Sequence, residues 1–186
     1  MRRGVLSGIA VLAALWLPGV AWGGTGPNYT APGVVTGPTV DGVLSDPAWA
    51  NAPSYNVLFG TIPATVKFVH TATDLYIGAT VQDANFSNAS FDVFFDNNDS
   101  GVIAAGDDAW LAHLSPASAE DFFYDPSGTG GAAFYNDLNA GSSNMNTTAA
   151  STSVAGNSVT FEIEHPLCSA DTAHDICTQP GAFAGV

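Results

Sequence analysis

The stretch "ATVKFVHTATDLYIGATVQD", residues 64–83, decides the fold. Val66 and Phe68 before the Thr-Ala-Thr-Asp turn, and Leu75, Ile77, Ala79 and Val81 after it, recur with period two. That is the period at which side chains of a strand return to the same face. The spacing predicts two antiparallel strands joined by a short turn, each with an apolar face that a second layer must cover. Further strand candidates follow at "FDVFF" (91–95), "AWLAHLS" (109–115), "DFFYD" (121–125), "AAFYN" (132–136) and "SVTFEIEHPL" (158–167). No window carries a long amphipathic helix. With 20 Gly and 11 Pro marking turns between many short strands, the pattern is that of an all-β protein, an antiparallel β-sandwich of jelly-roll type. The small, polar segment 136–158 reads either as a long loop or as poorly marked edge strands, with "AASTSV" at 149–154 its better strand candidate.

Before the first strand pair stands "VDGVLSDPAWANAP", residues 40–53, an Asp-Gly turn followed by a Ser-Asp-Pro helix start that places Trp49 on a short helical turn. Upstream, Arg2 and Arg3 precede an apolar run from Val5 to Trp16 that ends in Pro-Gly and small residues. This is the layout of a signal peptide, assigned to residues 1–23, and the run is short of the roughly 20 apolar residues of a membrane span. Residues 24–37 read as a flexible Gly/Pro/Thr linker, and residues 38–186 as one domain. At the far end, "TQPGAFAGV" has the form of a strand just beginning, which leaves the sandwich with an open edge.

Three Lys plus Arg stand against 17 Asp plus Glu, a formal charge of −14, and loss of Arg2 and Arg3 with the leader brings it to −16. Such a surface repels phosphate backbones and anionic lipid, so nucleic-acid and membrane partners are disfavoured. Neutral ligands and cations suit it. Cys168 and Cys177 are the only cysteines; in an exported chain an even pair at short separation reads as a disulfide. Five Asn-x-Ser/Thr sites, at Asn28, Asn85, Asn88, Asn98 and Asn146, matter only in a glycosylating host.

The richest chemistry lies in "FDVFFDNNDSGVIAAGDDAW", residues 91–110, where Asp92, Asp96, Asp99, Asp107 and Asp108 crowd around one glycine turn. Counted from Asp96, Asn98 falls at position 3, Ser100 at 5, Gly101 at 6, Val102 at 7, Ile103 at 8 and Asp107 at 12. This is the ligand spacing of an EF-hand-type calcium loop, in which alternate oxygens and the position 7 carbonyl converge on one hard cation. Ser at 5 and Asp at 12 are weaker ligands than usual. Asp99 and Asp108 offer a shifted register of the same site. The flanks are strand-like, so the loop would sit on a sheet. A solvated hairpin held by Asn, Asp and Gly is the competing reading; mutual repulsion of five carboxylates favours the cation. Glu120, Asp121, Glu162 and Glu164 are available for glycoside hydrolysis, but Glu162 and Glu164 alternate with Phe161 and Ile163 as the solvent face of any strand would. No nucleophile elbow or phosphate loop is present.

Taken in order, "PTVDGVLSDPAWANAP", "VKFVHTATDLYIGATVQD", "FDVFFDNND" and "VTFEIEHPL" resemble the carbohydrate-binding module family 9-like domain, a β-sandwich of secreted bacterial proteins. The opening motif is matched by Asp41, Gly42, Leu44, Asp46 and Trp49, the hairpin by Asp74, Leu75, Tyr76 and Ile77, and the last strand by Glu162, Ile163, Pro166 and Leu167. The resemblance implies a non-catalytic module that serves polysaccharide recognition or catabolism. It implies structural Ca2+, a poly- or oligosaccharide partner, attachment to a larger secreted enzyme or cell-surface assembly, and a secreted, periplasmic or cell-surface location. Trp110, Tyr124 and Tyr135 are the ring faces available to stack on a sugar, with Phe123 beside them, while Trp49 belongs to the core. Related sandwiches hold b-type haem between Met and His or Lys, for which Met145, Lys67 and the histidines are the available ligands. A surface interaction module with no small ligand is the remaining alternative.

Overall fold

The computed structural model describes residues 29–82, 90–97, 100–114, 117–127, 133–136, 147–154, 157–169, 171 and 174–182. The leader, the asparagines of the five Asn-x-Ser/Thr sites, Asp99, Met145 and residues 183–186 lie outside them. Among the described residues, a short 3-10 turn at Pro47–Trp49 is followed by nine strands: β1 (Tyr55–Phe59), β2 (Ile62–His70), β3 (Asp74–Val81), β4 (Ser90–Phe95), β5 (Asp108–Leu114), β6 (Ala117–Asp125), β7 (Ala133–Asn136), β8 (Thr148–Val154) and β9 (Ser158–Pro166). They form two antiparallel sheets, β1-β2-β3-β9-β8 and β4-β5-β6-β7. The chain is an all-β sandwich, as its alternation predicts.

The β2–β3 hairpin has the expected register, with Val66 opposite Ala79 and Phe68 opposite Ile77. These residues join Leu75, Phe91, Val93, Phe95, Trp110, Ala112, Val159, Phe161 and Ile163 in one buried cluster between the sheets. Period-two alternation puts each strand's apolar set on that inner face, and its removal from water drives the two layers together. The strand candidate at 149–154 is realised as β8, paired along its length with β9.

A smaller cluster covers the opposite face of the five-stranded sheet. Trp49, Ala52, Val69 and Tyr76 are buried there, with Val34, Val40 and Leu44 packed against them. Gly78 in β3 makes the seat: a Cβ at this position would lie 2.5 Å from Leu44 Cδ2 and 3.3 Å from Trp49 Cη2. Trp49 is thus core, though in a second core outside the sandwich.

Residues 29–37, assigned by their composition to a flexible linker, are docked. Tyr29 and Ala31 are buried in the main cluster, and the Tyr29 ring stacks on Phe68 at 5.7 Å. The Val34 amide donates to the His70 carbonyl at 2.8 Å and the His70 amide to the Pro32 carbonyl at 3.1 Å. Gly and Pro make the segment a poor core former locally, but the unpaired edge of His70 supplies partners for its backbone.

Candidate functional site

Strand pairing defines which side chains share the outer face of the four-stranded sheet. Phe94 lies opposite Ala109, which lies opposite Phe122, which lies opposite Asn136. One step away Tyr124 pairs with Phe134, and one step the other way Asp92, Leu111 and Glu120 form a row, followed by Ser90, His113 and Ser118. The face is divided. Half-buried rings occupy one end: Phe134 is 4.9 Å from Phe94 and 5.2 Å from Tyr124, both pairs tilted. Ala109, small and buried, lets rings from β4 and β7 close over it. Carboxylates, an imidazole and hydroxyls occupy the other end, with His113 Nε2 3.7 Å from Glu120 Oε2. An aromatic floor beside fixed hydrogen-bonding groups matches a ligand with apolar ring faces and a polar rim.

Tyr124 is therefore on an accessible face, as its candidacy required. Tyr135 pairs with Phe123, so alternation turns it to the opposite face, 6.3 Å from that ring. Trp110 is fully buried between the sheets, packed on Phe95 at 4.1 Å and on the His165 ring at 4.1 Å. Neither offers a ring to a ligand on this face. Phe94, Phe122 and Phe134 were not singled out from the sequence, although a signal exists: Phe94 stands out of phase with Phe91, Val93 and Phe95, so it must point outward.

The β4–β5 loop lies at the aromatic end, tied there by bonds from the Gly106 amide to the Tyr124 carbonyl and from the Tyr124 amide to the Asp107 carbonyl, 2.9 and 2.7 Å. Within it Asp96 Oδ1 accepts from the Ser100 amide at 2.9 Å and Oδ2 from the Gly101 amide at 2.6 Å. Gly101 has φ 75°, open to glycine and costly to other residues. Asp107 Oδ1 accepts from the Asn97 amide at 3.1 Å and Oδ2 from the Ala104 amide at 2.7 Å. Burial is the largest influence on Asp107, holding its carboxyl above the usual range against those amide bonds. The Val102 carbonyl accepts from Ser100 Oγ at 2.8 Å. Each carboxylate oxygen keeps a second lone pair, so the loop's own bonds leave Asp96 and Asp107 able to hold Ca2+ as well. Asn98 and Asp99 lie outside the described residues.

Two acidic residues leave this group. Asp92 is on the outer sheet face, four positions before the loop. Asp108 points inward, where Oδ2 accepts from Trp110 Nε1 at 2.8 Å and from the Ile176 amide at 3.0 Å. Strand geometry is the reason: adjacent residues Asp107 and Asp108 straddle the start of β5, so the second is turned into the sandwich.

Glu162 is a further correction. It is buried, with Oε2 accepting from the amides of Asp41, Gly42 and Val43 at 2.9, 2.7 and 3.2 Å and Oε1 from Trp49 Nε1 at 2.8 Å. The folded-back N-terminal segment covers what alternation alone makes a solvent face. Glu164 Oε1 accepts from the Tyr76 hydroxyl at 2.7 Å, and Lys67 Nζ donates to the Trp49 carbonyl at 3.2 Å. Cys168 and Cys177 form the expected disulfide, and no helix among the described residues is long and apolar enough to cross a membrane.

No family model matches the sequence, and no curated protein is significantly similar to it. Among solved structures, the chain is similar to a family 9 carbohydrate-binding module from Caldicellulosiruptor kristjanssonii in complex with glucose. The two share 16% identity at a TM-score of 0.51, over 76% of this chain and 69% of that one. A family 9 module from the same organism in complex with cellotriose aligns at 16% identity and a TM-score of 0.48, over 75% and 69%. At this identity the likeness is one of fold: the protein is a β-sandwich similar to that of the family 9 modules, as its four ordered sequence blocks implied.

Proposed function

We propose that the protein is a non-catalytic carbohydrate-binding module whose ligand lies across the outer face of the β4-β5-β6-β7 sheet. The observation that carries this reading is the division of that face, with Phe94, Phe122, Tyr124 and Phe134 at one end and Asp92, His113, Glu120 and Asn136 along its rim. Pyranose rings stack their C–H faces on aromatic surfaces and direct hydroxyls sideways to carboxylates and amides. The fold neighbour solved with glucose supports a saccharide over other ligands with these properties, and the net negative charge disfavours phosphorylated or nucleic ligands. In the same reading the β4–β5 loop binds Ca2+ through Asp96, Asp107, the Val102 carbonyl and the adjacent Asn98, Asp99 and Ser100, stiffening the aromatic end. The Arg-led apolar N-terminus and the disulfide support export, with a polysaccharide-degrading enzyme or cell-surface assembly as partner.

Affinity gels of insoluble β-glucan, xylan and mannan, together with calorimetric titration of glucose and gluco-oligosaccharides in the presence of Ca2+, test the proposal. Binding to one class, weakened at least tenfold by Phe134→Ala or Tyr124→Ala with the fold intact, is expected. Equal binding by both variants would relocate the site, and no binding to any saccharide would remove the function.

A further inference from the structure

Between the sheets, away from the acidic loop, four titratable side chains meet in the interior. Asp108 comes from β5, Asp121 from β6, His165 from β9 and Asp175 from the loop closed by Cys168–Cys177. All four are buried, with exposures of 0%, 0%, 0% and 4%. His165 Nε2 lies 3.4 Å from Asp121 Oδ2 and 3.8 Å from Asp175 Oδ2. One ligand atom each from Asp108, His165 and Asp175 lies within 4.8 Å of the others.

The imidazole is the informative member. Its Nδ1 lies 2.7 Å from the Pro166 carbonyl, which can only accept, so Nδ1 carries the proton and Nε2 of the neutral ring presents a bare lone pair. That lone pair has no hydrogen-bond partner and is aimed at carboxylate oxygens; Asp108 Oδ1, also buried, has none either. A lone pair facing carboxyl groups in a low-dielectric interior is repulsive unless a proton or a cation lies between them. A divalent cation engages both unpartnered atoms, His165 Nε2 and Asp108 Oδ1, at once.

The distances leave room for an ion between the donors. Two ligands roughly 2.0–2.2 Å from a tetrahedral zinc ion sit about 3.4 Å from each other, whereas hydrogen-bonded N and O sit at roughly 2.9 Å. The imidazole argues against calcium and magnesium, which prefer oxygen, and for a first-row transition ion. The outer surroundings are in place. Trp110 Nε1 and the Ile176 amide hold Asp108 through its other oxygen at 2.8 and 3.0 Å, the Pro166 carbonyl sets the imidazole tautomer, and the Trp110 ring stacks on it at an interplanar angle of 19°. Such partners orient ligands before the ion arrives.

We propose that Asp108, His165 and Asp175, with Asp121 beside the imidazole, form a structural site for a divalent transition metal such as zinc that fastens the four-stranded sheet to β9 and to the C-terminal disulfide loop. The site is distinct from the calcium loop, shares none of its proposed ligands once Asp108 is turned inward, and is loaded during folding because no ligand atom faces solvent.

The test uses the full chain, unfolded in guanidinium with chelator and its disulfide intact, then refolded with Zn2+ or Co2+ and dialysed. Expected are about one metal ion per chain by mass spectrometry, visible cobalt absorption of a low-symmetry nitrogen–oxygen site, and a melting temperature roughly 5 °C or more above that of the metal-free protein. Asp175→Asn and His165→Phe, the latter keeping a ring against Trp110, should lose the metal and the shift, whereas Asp96→Ala in the loop should keep both. Wild-type protein that refolds without retaining Zn2+, Co2+ or Mn2+, or variants of the cluster that retain metal as wild type does, would overturn the proposal. If both cluster variants fail to fold, the wild-type stoichiometry and cobalt spectrum decide the question alone.

Discussion

Trp49 Nε1 donates to Glu162 Oε1 at 2.8 Å, joining the opening turn of the domain to the centre of its last described strand. The other oxygen of the same carboxylate receives three successive amides of the Asp41–Val43 turn. The Asp-Gly turn and the tryptophan of the opening motif therefore serve one buried anion. Glu162→Ala removes the acceptor that these four donors share and should cost about 3–5 kcal/mol. Glu162→Gln, which sets an NH2 against N–H donors, should cost about 1–3 kcal/mol. Urea denaturation measures both, and a Gln variant within about 0.5 kcal/mol of wild type would show that the carboxylate is not the organising group.

The seat beneath Trp49 is equally specific. Gly78→Val places methyl groups where Leu44 and Trp49 lie, 2.5 and 3.3 Å from the new Cβ. A loss of about 1–3 kcal/mol is expected, together with a blue-to-red shift of Trp49 fluorescence as the indole is exposed. Unchanged emission would mean that the 3-10 turn has room to move.

On the outer face, Asp92 is held above the usual carboxylate range, chiefly by burial, against a hydrogen bond from Ser90 that lowers it. A folded pKa above the unfolded one means that the native state binds more protons. The contribution is fully present below the unfolded pKa and is lost as pH rises through the folded pKa. Asp92→Asn should therefore be more stable than wild type at pH 7, with the gain disappearing towards pH 4. Denaturation midpoints across that range measure it, and a gain that grows on acidification would contradict the sign.

Two aromatic residues separate stability from binding. Trp110 is buried and bonded to Asp108, so Trp110→Phe should destabilise by about 1–3 kcal/mol and leave saccharide affinity unchanged. Tyr124→Ala should do the reverse. Titration calorimetry paired with thermal melts distinguishes them; loss of sugar binding in a folded Trp110→Phe protein would return that residue to the ligand site.

Calcium is addressed at the β4–β5 loop. Millimolar Ca2+ should raise the melting temperature by several degrees over chelator-treated protein, and Asp96→Ala should abolish the rise. Asp96→Ala also breaks two loop amide bonds, so the comparison is made within each variant, with and without the ion. An identical melt of wild type in both conditions would leave a hairpin closed by its own hydrogen bonds.

The two-layer fold, the β2–β3 register, the β8 strand, the helical turn at Trp49 and the Cys168–Cys177 pair were legible in the sequence because each depends on neighbours a few positions away. Alternation of apolar residues has the strand period built into it, and turn residues mark where it breaks. Tyr124, reachable by the same rule, proved to lie on an open face. The rule failed at Tyr135 because strand pairing, which places Tyr135 opposite Phe123, sets its face. Trp110 obeyed the alternation and was misread by residue type.

What the sequence determined by itself was therefore most of the strands, though not β1 at Tyr55–Phe59, the inward phase of the strongly alternating ones and the chemical inventory: an excess of carboxylates, one lysine beyond the leader and a single pair of cysteines. Tertiary structure alone decided which polar residues became buried partners. Glu162 has the phase of a solvent-facing residue until a segment about 120 residues earlier folds over it. Asp108 and His165 carry no local mark of each other, yet two sheets closing face to face bring them together with Asp121 and Asp175. Burial and electrostatic pairing depend on which surfaces meet, and that is settled only when the layers pack.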